Sequence, residues 1–163
     1  MKIQSLEQVL VDMQLVDDSG LDKARTLQRE KALPLHDALL SSGVLSDQDI
    51  LKALARLWNI PLMNKIDEIE VDPSIVDVLP ITFLRKYTMV PVKLNADMME
   101  VAVNDPTDQE PLFDIAKILN IREITRVLAP KQEILQAINR LVEMKEESAK
   151  DIMEDIEEEE DEI

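Results

Sequence analysis

Three observations predict an α+β fold built in two parts. Aromatic residues make up only 2% of a chain that is 45% hydrophobic, so its core is aliphatic, a composition that suits packed helices better than an all-β sandwich. Residues 1–59 carry apolar side chains at helical spacing throughout. After Trp58 the rhythm changes: Pro61, Pro73, Pro80 and Pro91 cut the chain into short pieces, and two strand-like runs appear, VPVKL and MEVAVN. The expectation is an N-terminal four-helix subdomain over residues 1–59, a small ββαβα sheet subdomain over 60–144, and an acidic linker or tail over 145–163.

The first helix is read from Leu6, Val9, Leu10 and Met13, and the second from Leu21, Ala24 and Leu27, with Asp17, Asp18 and Ser19 as candidate caps. Leu35, Ala38 and Leu39 mark a third helix, with Pro34 suited to its first turn and Gly43 to its end. Ile50, Leu51, Leu54 and Leu57 mark a fourth, which Ser46 can cap with Asp49 three residues on. These helices repeat. Ser5–Gln28 aligns without gaps on Pro34–Leu57 at an offset of 29 residues, matching Leu6 to Leu35, Leu10 to Leu39, Leu15 to Val44, Val16 to Leu45, Leu21 to Ile50 and Ala24 to Ala53. Two helical hairpins packed about a pseudo-twofold axis follow from that match; a ligand seat made by both copies is the functional alternative.

In the second part Asp72 can cap a short helix at Pro73, and Ile81–Tyr87 can form another. Val90–Leu94 and Met99–Asn104 read as strands joined by a tight turn at Asn95, Ala96 and Asp97. A helix over Gln109–Leu119, a third strand over Ile124–Ala129 and a helix from Pro130 to about Met144 complete the ββαβα order. The tail has Ile152, Met153 and Ile156 at helical spacing, but its Glu run favours a disordered, solvated linker.

Charge and composition exclude several function classes. The 163 residues carry a formal charge of −16, and nine of those charges fall in Lys145–Ile163. Such a surface repels nucleic acid and anionic headgroups, which need clustered Lys and Arg. With no cysteine there is no disulfide, thiolate metal site or thiol nucleophile. The N-terminus MKIQSLEQVLVDMQL lacks a sustained apolar stretch, and no segment reaches the roughly 20 apolar residues of a membrane span. A soluble, unexported, cytoplasmic chain is expected.

A search for chemistry finds little. Neither Gly20 nor Gly43 belongs to a Gly-rich phosphate loop followed by Lys and Ser or Thr. His36, the lone histidine, stands at the start of the third helix with no second His nearby and reads as a surface residue. Asp105 and Asp108 in NDPTD are the best acid–base candidates, yet Asp105 before Pro106 reads as a turn and Asp108 as the cap of the following helix. No catalytic residue, cofactor or metal ligand is assigned, and the partner-binding residues are left unknown.

From Ile60 to Val142 the chain resembles the general secretion pathway E-type N-terminal domain, found ahead of the motor in type II secretion and type IV pilus assembly ATPases. The resemblance is carried by LWNIPLM, VDPSIVDVLP, FLRKYTMVPVKL, MEVAVNDPTD and RVLAPKQEILQAINRLV, in that order. The paired segment before it is similar to a motif that forms a cyclic di-GMP site in some members. That motif runs Arg-Leu-Gly at its start, Gly at its tenth place and Gln at its end. Here the first copy has Ser5, Leu6 and Glu7, then Gln14, then Gln28; the second has Pro34, Leu35 and His36, then Gly43, then Leu57. The leucine skeleton is kept, while both arginines and one terminal glutamine are gone. An arginine can stack on guanine or pair with phosphate, and glycine lets backbone amides approach a ligand.

The resemblance therefore implies helix packing without cyclic di-GMP binding. It also implies a docking module that couples a secretion or pilus motor to the cytoplasmic domain of an inner-membrane platform protein, which recruits it to that membrane. The motor would lie beyond Ile163, unless the chain is a stand-alone adaptor, and the isolated chain is expected to be a monomer. A second-messenger sensor using Arg25, Gln28 and Arg29 instead is the alternative. One helix face of the first sixty residues is the expected contact surface, because the proline breaks from Pro61 onward would let that bundle reorient.

Overall fold

Ser5 begins the first helix by accepting a hydrogen bond from the Gln8 N–H at 3.2 Å, while the Gln8 side chain accepts from the Ser5 N–H at 3.3 Å. This reciprocal cap satisfies two otherwise orphaned donors. It opens α1, Leu6–Asp12, which is followed by α2, Asp18–Lys31, α3, Leu35–Ser41, and α4, Asp47–Trp58. A 3-10 turn at Pro73–Asp77, α5 at Ile81–Tyr87, β1 at Met89–Leu94, β2 at Met98–Val103, α6 at Glu110–Leu119, β3 at Glu123–Leu128 and α7 at Lys131–Asp161 complete the α+β fold. The computed structural model describes residues 5–161, and the chain divides into two compact units, Met1–Leu62 and Met63–Ile163.

The first unit keeps the 29-residue repeat in three dimensions. Helices α1 and α3 begin and end at repeat-equivalent residues, and so do the starts of α2 and α4. Asp17 caps α2 through the Gly20 N–H at 2.8 Å, and Ser46, its equivalent, caps α4 through the Asp49 N–H at 3.2 Å. Helix α1 packs on α4 and α2 on α3, the crossed pairing that a pseudo-twofold axis requires. The buried core of this unit is Val9, Leu10, Val16, Leu21, Ala24, Ala38, Leu39, Leu45, Ile50 and Ala53. Each residue of the first five has its 29-residue equivalent among the second five. At about 1.5–3 kcal/mol for each fully buried large aliphatic side chain, these positions supply the drive that holds four short helices together.

Pro34 stands just outside α3 rather than in its first turn: it is the cap residue, with φ −60°. Gly43 follows α3 in the left-handed region, φ 72°, where the missing Cβ removes the usual penalty. Its equivalent Gln14 also adopts φ 58°, so the first hairpin makes the same turn with a side chain present. Gly20 is needed for another reason. A Cβ there would stand 2.9 Å from a methyl of Val16 and 2.9 Å from a methyl of Val44.

In the second unit the sheet order is β1-β2-β3, with β1 antiparallel and β3 parallel to β2. The register shifts between Pro91 and Lys93, a bulge of the kind that accommodates proline near a sheet edge. One sheet face, with Val90, Val92, Ala102 and Val127, joins Leu84 of α5 and Ile134, Ala137, Ile138 and Leu141 of α7 in a core. On the opposite face Met99, Val101, Val103 and Leu128 are buried, as are Leu112 and Ile115 of α6. The α7 side chains also hold the loop before the 3-10 turn: Glu133 accepts from the Ile66 N–H at 3.1 Å, and Arg140 donates to the Ile66 and Asp67 carbonyls.

Two further expectations need correction. The tail is not a disordered linker through its described length, because α7 runs unbroken to Asp161; residues 162 and 163 lie outside the described residues, as do residues 1–4. No Pro or Gly interrupts the chain after Pro130, Glu146 precedes Lys150 by one helical turn, and Lys145 pairs with Asp77. Helix-forming Glu, Lys, Ala and Met outweigh the repulsion of the acidic run. Asp108 does not cap α6: Gln109 takes the cap position without a side-chain bond, and Pro111 sits in the first turn.

Candidate functional site

The paired hairpins are the first place to look for a ligand seat, since the repeat brings two equivalent helix starts into one bundle. In the first copy the motif's Gly position is filled by Glu7, whose carboxylate accepts a 2.6 Å hydrogen bond from Arg25 on α2. Asp22 stands 4.0 Å from the same guanidinium. The Glu7 hydrogen bond, then its charge, hold the Arg25 pKa above its ordinary value. The Arg25 cation is thus already matched to a carboxylate, and an incoming anion would be repelled by Glu7. Arg29 lies one turn further along α2, and its Nε donates to the Arg25 carbonyl at 3.4 Å. Gln28 is half-buried on the same helix.

In the second copy Pro34 offers no side-chain hydrogen bond to the start of α3. His36 is half-exposed, with Nε2 3.4 Å from a carboxylate oxygen of Asp37. Leu57, at the motif's last place, packs against the apolar core of this unit. The residues that replace the motif's polar set are therefore an internal ion pair, a helix cap and an apolar side chain. They serve the bundle where the motif has arginines and a terminal glutamine.

Elsewhere the sequence candidates resolve into local structure. Asp105 accepts from the Thr107 N–H at 2.9 Å and from its hydroxyl at 2.6 Å, which closes a turn. Asp105 and Asp108 are both exposed. No cluster of three or more metal-ligating side chains occurs among the described residues. Asp72 caps the 3-10 turn by accepting from the Ser74 N–H at 2.9 Å, and hydrogen bonds from the Ser74 backbone, then its side chain, hold the Asp72 carboxyl below its usual range. No helix among the described residues is long and apolar enough to cross a membrane.

Sequence reasoning assigned no contact residue, and the structure shows where exposed apolar surface collects. Among the described residues of the first unit only Val11 and Trp58 are large and exposed. The second unit exposes Val78, Met98, Phe113 and Ile118, together with Ile152, Met153 and Ile156 on the outer half of α7. Phe113 is the most open of these at 69%. Its position on α6 could have been suspected from a helical wheel, because Leu112 and Ile115 already fill the inward face.

Repeated helical hairpins followed by a ββαβα sheet define a class of protein, the N-terminal domains of type II secretion and type IV pilus ATPases. A structure of the N-terminal domain of XpsE has this fold, with a TM-score of 0.62 at 21% identity over 86% of this chain and 98% of that one. The sequence profile of the MshEN domain matches residues 58–148, and the chain belongs to that family. It is 27% identical over 151 residues to the type IV pilus assembly ATPase PilB of Myxococcus xanthus (strain DK1622), a match that takes in 93% of this chain and 26% of that protein. The chain thus spans about a quarter of the length of that relative. A structure of MshE with cdg, cyclic di-GMP, superimposes with a TM-score of 0.71 at 25% identity, over 85% of this chain and 99% of that one.

Proposed function

We propose that this chain is a docking module that couples a secretion or pilus assembly ATPase to the cytoplasmic domain of its inner-membrane platform protein. The observation that carries the reading is the near-complete overlap with one domain of such motors: the match takes in 98% of the XpsE N-terminal domain but 26% of PilB. A unit that recurs as a separate domain on a motor, and whose best acid–base candidates are a turn residue and an exposed surface carboxylate, contributes by binding. In this reading the module works in the cytoplasm and is recruited to the membrane through its partner. Calorimetric titration with the platform protein's cytoplasmic domain tests it: saturable binding is expected, and a flat titration would overturn the docking role.

The structure of MshE with cdg favours a second reading, a cyclic di-GMP sensor. Against it stand Glu7 paired with Arg25, Pro34 in place of an arginine, and Leu57 packed against the apolar core in place of a glutamine. The expected result with cyclic di-GMP is no heat of binding.

A further inference from the structure

We propose that the partner docks on the open edge of β3 and the groove beside it, adding as a fourth strand an extended segment that carries acidic and apolar residues by turns along the one face it presents to the groove. This rests on the docking reading above and supplies the surface and the chemistry of its occupant.

The edge is open by construction of the sheet. Glu123 donates its N–H to the Asp97 carbonyl at 3.1 Å, and Ala129 to the Val103 carbonyl at 3.0 Å, both toward β2. Strand alternation gives Thr125 and Val127 the same direction and turns the N–H and C=O of Ile124 and Arg126 outward. No backbone group among the described residues bonds them there. At the end of the same edge the Leu128 carbonyl accepts the Met63 N–H at 2.7 Å, so this edge already takes a strand-like bond from passing chain. The opposite edge is occupied: Glu70 bridges Lys93, donating to the Val92 carbonyl at 2.8 Å and accepting from the Leu94 N–H at 3.2 Å.

Beside the open edge, α6 and β3 wall a groove of about 260 Å³ lined by Leu112, Phe113, Ala116, Ile124, Arg122 and Arg126. Phe113 is one of four aromatic residues in the whole chain and is 69% exposed; an exposed aromatic at a groove is the type of residue that anchors interfaces. Its charges are both positive, in a chain with 34 acidic residues and a charge of −16. Arg126 donates to the Pro106 carbonyl at 2.8 Å, and neither arginine forms an ion pair among the described residues. Arg122 immediately precedes β3 and Arg126 lies within it, and both line the groove, so acidic residues on the groove face of an added strand meet them. Edge-to-edge pairing with a second copy would set these arginines against their own equivalents, which disfavours that occupant. An open edge with an apolar pocket and cationic rim matches the strand-addition mode of peptide recognition.

The test uses the full chain, the fluorescein-labelled octapeptide Thr-Glu-Thr-Val-Thr-Glu-Thr-Val, which sets Glu and Val on one face of a strand, and its Lys/Val counterpart with Lys in place of Glu. Expected are saturable binding of the Glu/Val peptide alone, slowed exchange of the Ile124 and Arg126 amides, and at least tenfold weaker binding by Phe113→Ala and by Arg122→Glu. Equal binding of the Lys/Val peptide, exchange changes confined to α7 or to the first unit, or concentration-dependent dimerisation at this edge without peptide would each overturn the proposal. The platform domain separates this inference from the docking reading. Undiminished platform binding by a folded Phe113→Ala/Arg122→Glu variant, judged by an unchanged amide spectrum elsewhere, refutes the β3 site alone. Peptide binding without platform binding refutes the platform partner alone.

Discussion

In the first hairpin Glu7 is tied to Arg25 and Gln14 makes the left-handed turn; in the second His36 faces Asp37 and Gly43 makes that turn. Beneath these differences the buried residues correspond pair by pair, Val9 with Ala38, Leu10 with Leu39, Val16 with Leu45, Leu21 with Ile50 and Ala24 with Ala53. The two copies have thus kept what the bundle requires and diverged in what a ligand would touch. Burial constrains volume and polarity tightly, whereas an exposed polar position is freer to change.

The largest expected effect tests the symmetry of the core. Leu10→Ala and Leu39→Ala remove equivalent, fully buried side chains, and each should cost about 2–5 kcal/mol in denaturant unfolding. Similar losses support a shared core; a negligible loss at either position would break the correspondence. Next is Gly20→Val, which drives a branched side chain toward Val16 and Val44 and should cost about 1–3 kcal/mol by overpacking.

The turns sharpen the comparison at smaller scale. Gly43→Ala places a Cβ at φ 72° and should destabilise by about 1 kcal/mol, while Gln14→Gly relieves the equivalent residue and should stabilise by up to about 1 kcal/mol. Thermal melts of both variants measure this, and matching signs would contradict the account. The smallest effect lies in the second unit. The Asp72 carboxyl is held low by Ser74, so its contribution is present above the unfolded aspartate pKa and is lost as pH falls through the lower folded value. Asp72→Asn should flatten that acid-range slope in pH-dependent unfolding and leave stability at higher acidity unchanged.

Much of this fold was legible because its signals are local or periodic. The 29-residue repeat foretold the crossed hairpins, Ser46 and Asp49 announced a cap, and VPVKL and MEVAVN announced a paired turn. The acidic tail misled because composition weighs charge, while its helix continues from the packed turns at Ile134–Leu141 with no Pro or Gly to stop it. Asp108 misled because the helix begins two residues later, at Glu110. The groove was not legible: which edge of a sheet stays open, and which arginines lack a carboxylate, depend on residues far apart in sequence.

The central claim is that this module binds a protein and not a nucleotide, and parallel calorimetric titrations of the chain with the platform protein's cytoplasmic domain and with cyclic di-GMP test it most directly. Saturable heat from the platform domain and none from the nucleotide is the predicted result; saturable nucleotide binding with a silent platform titration would contradict it.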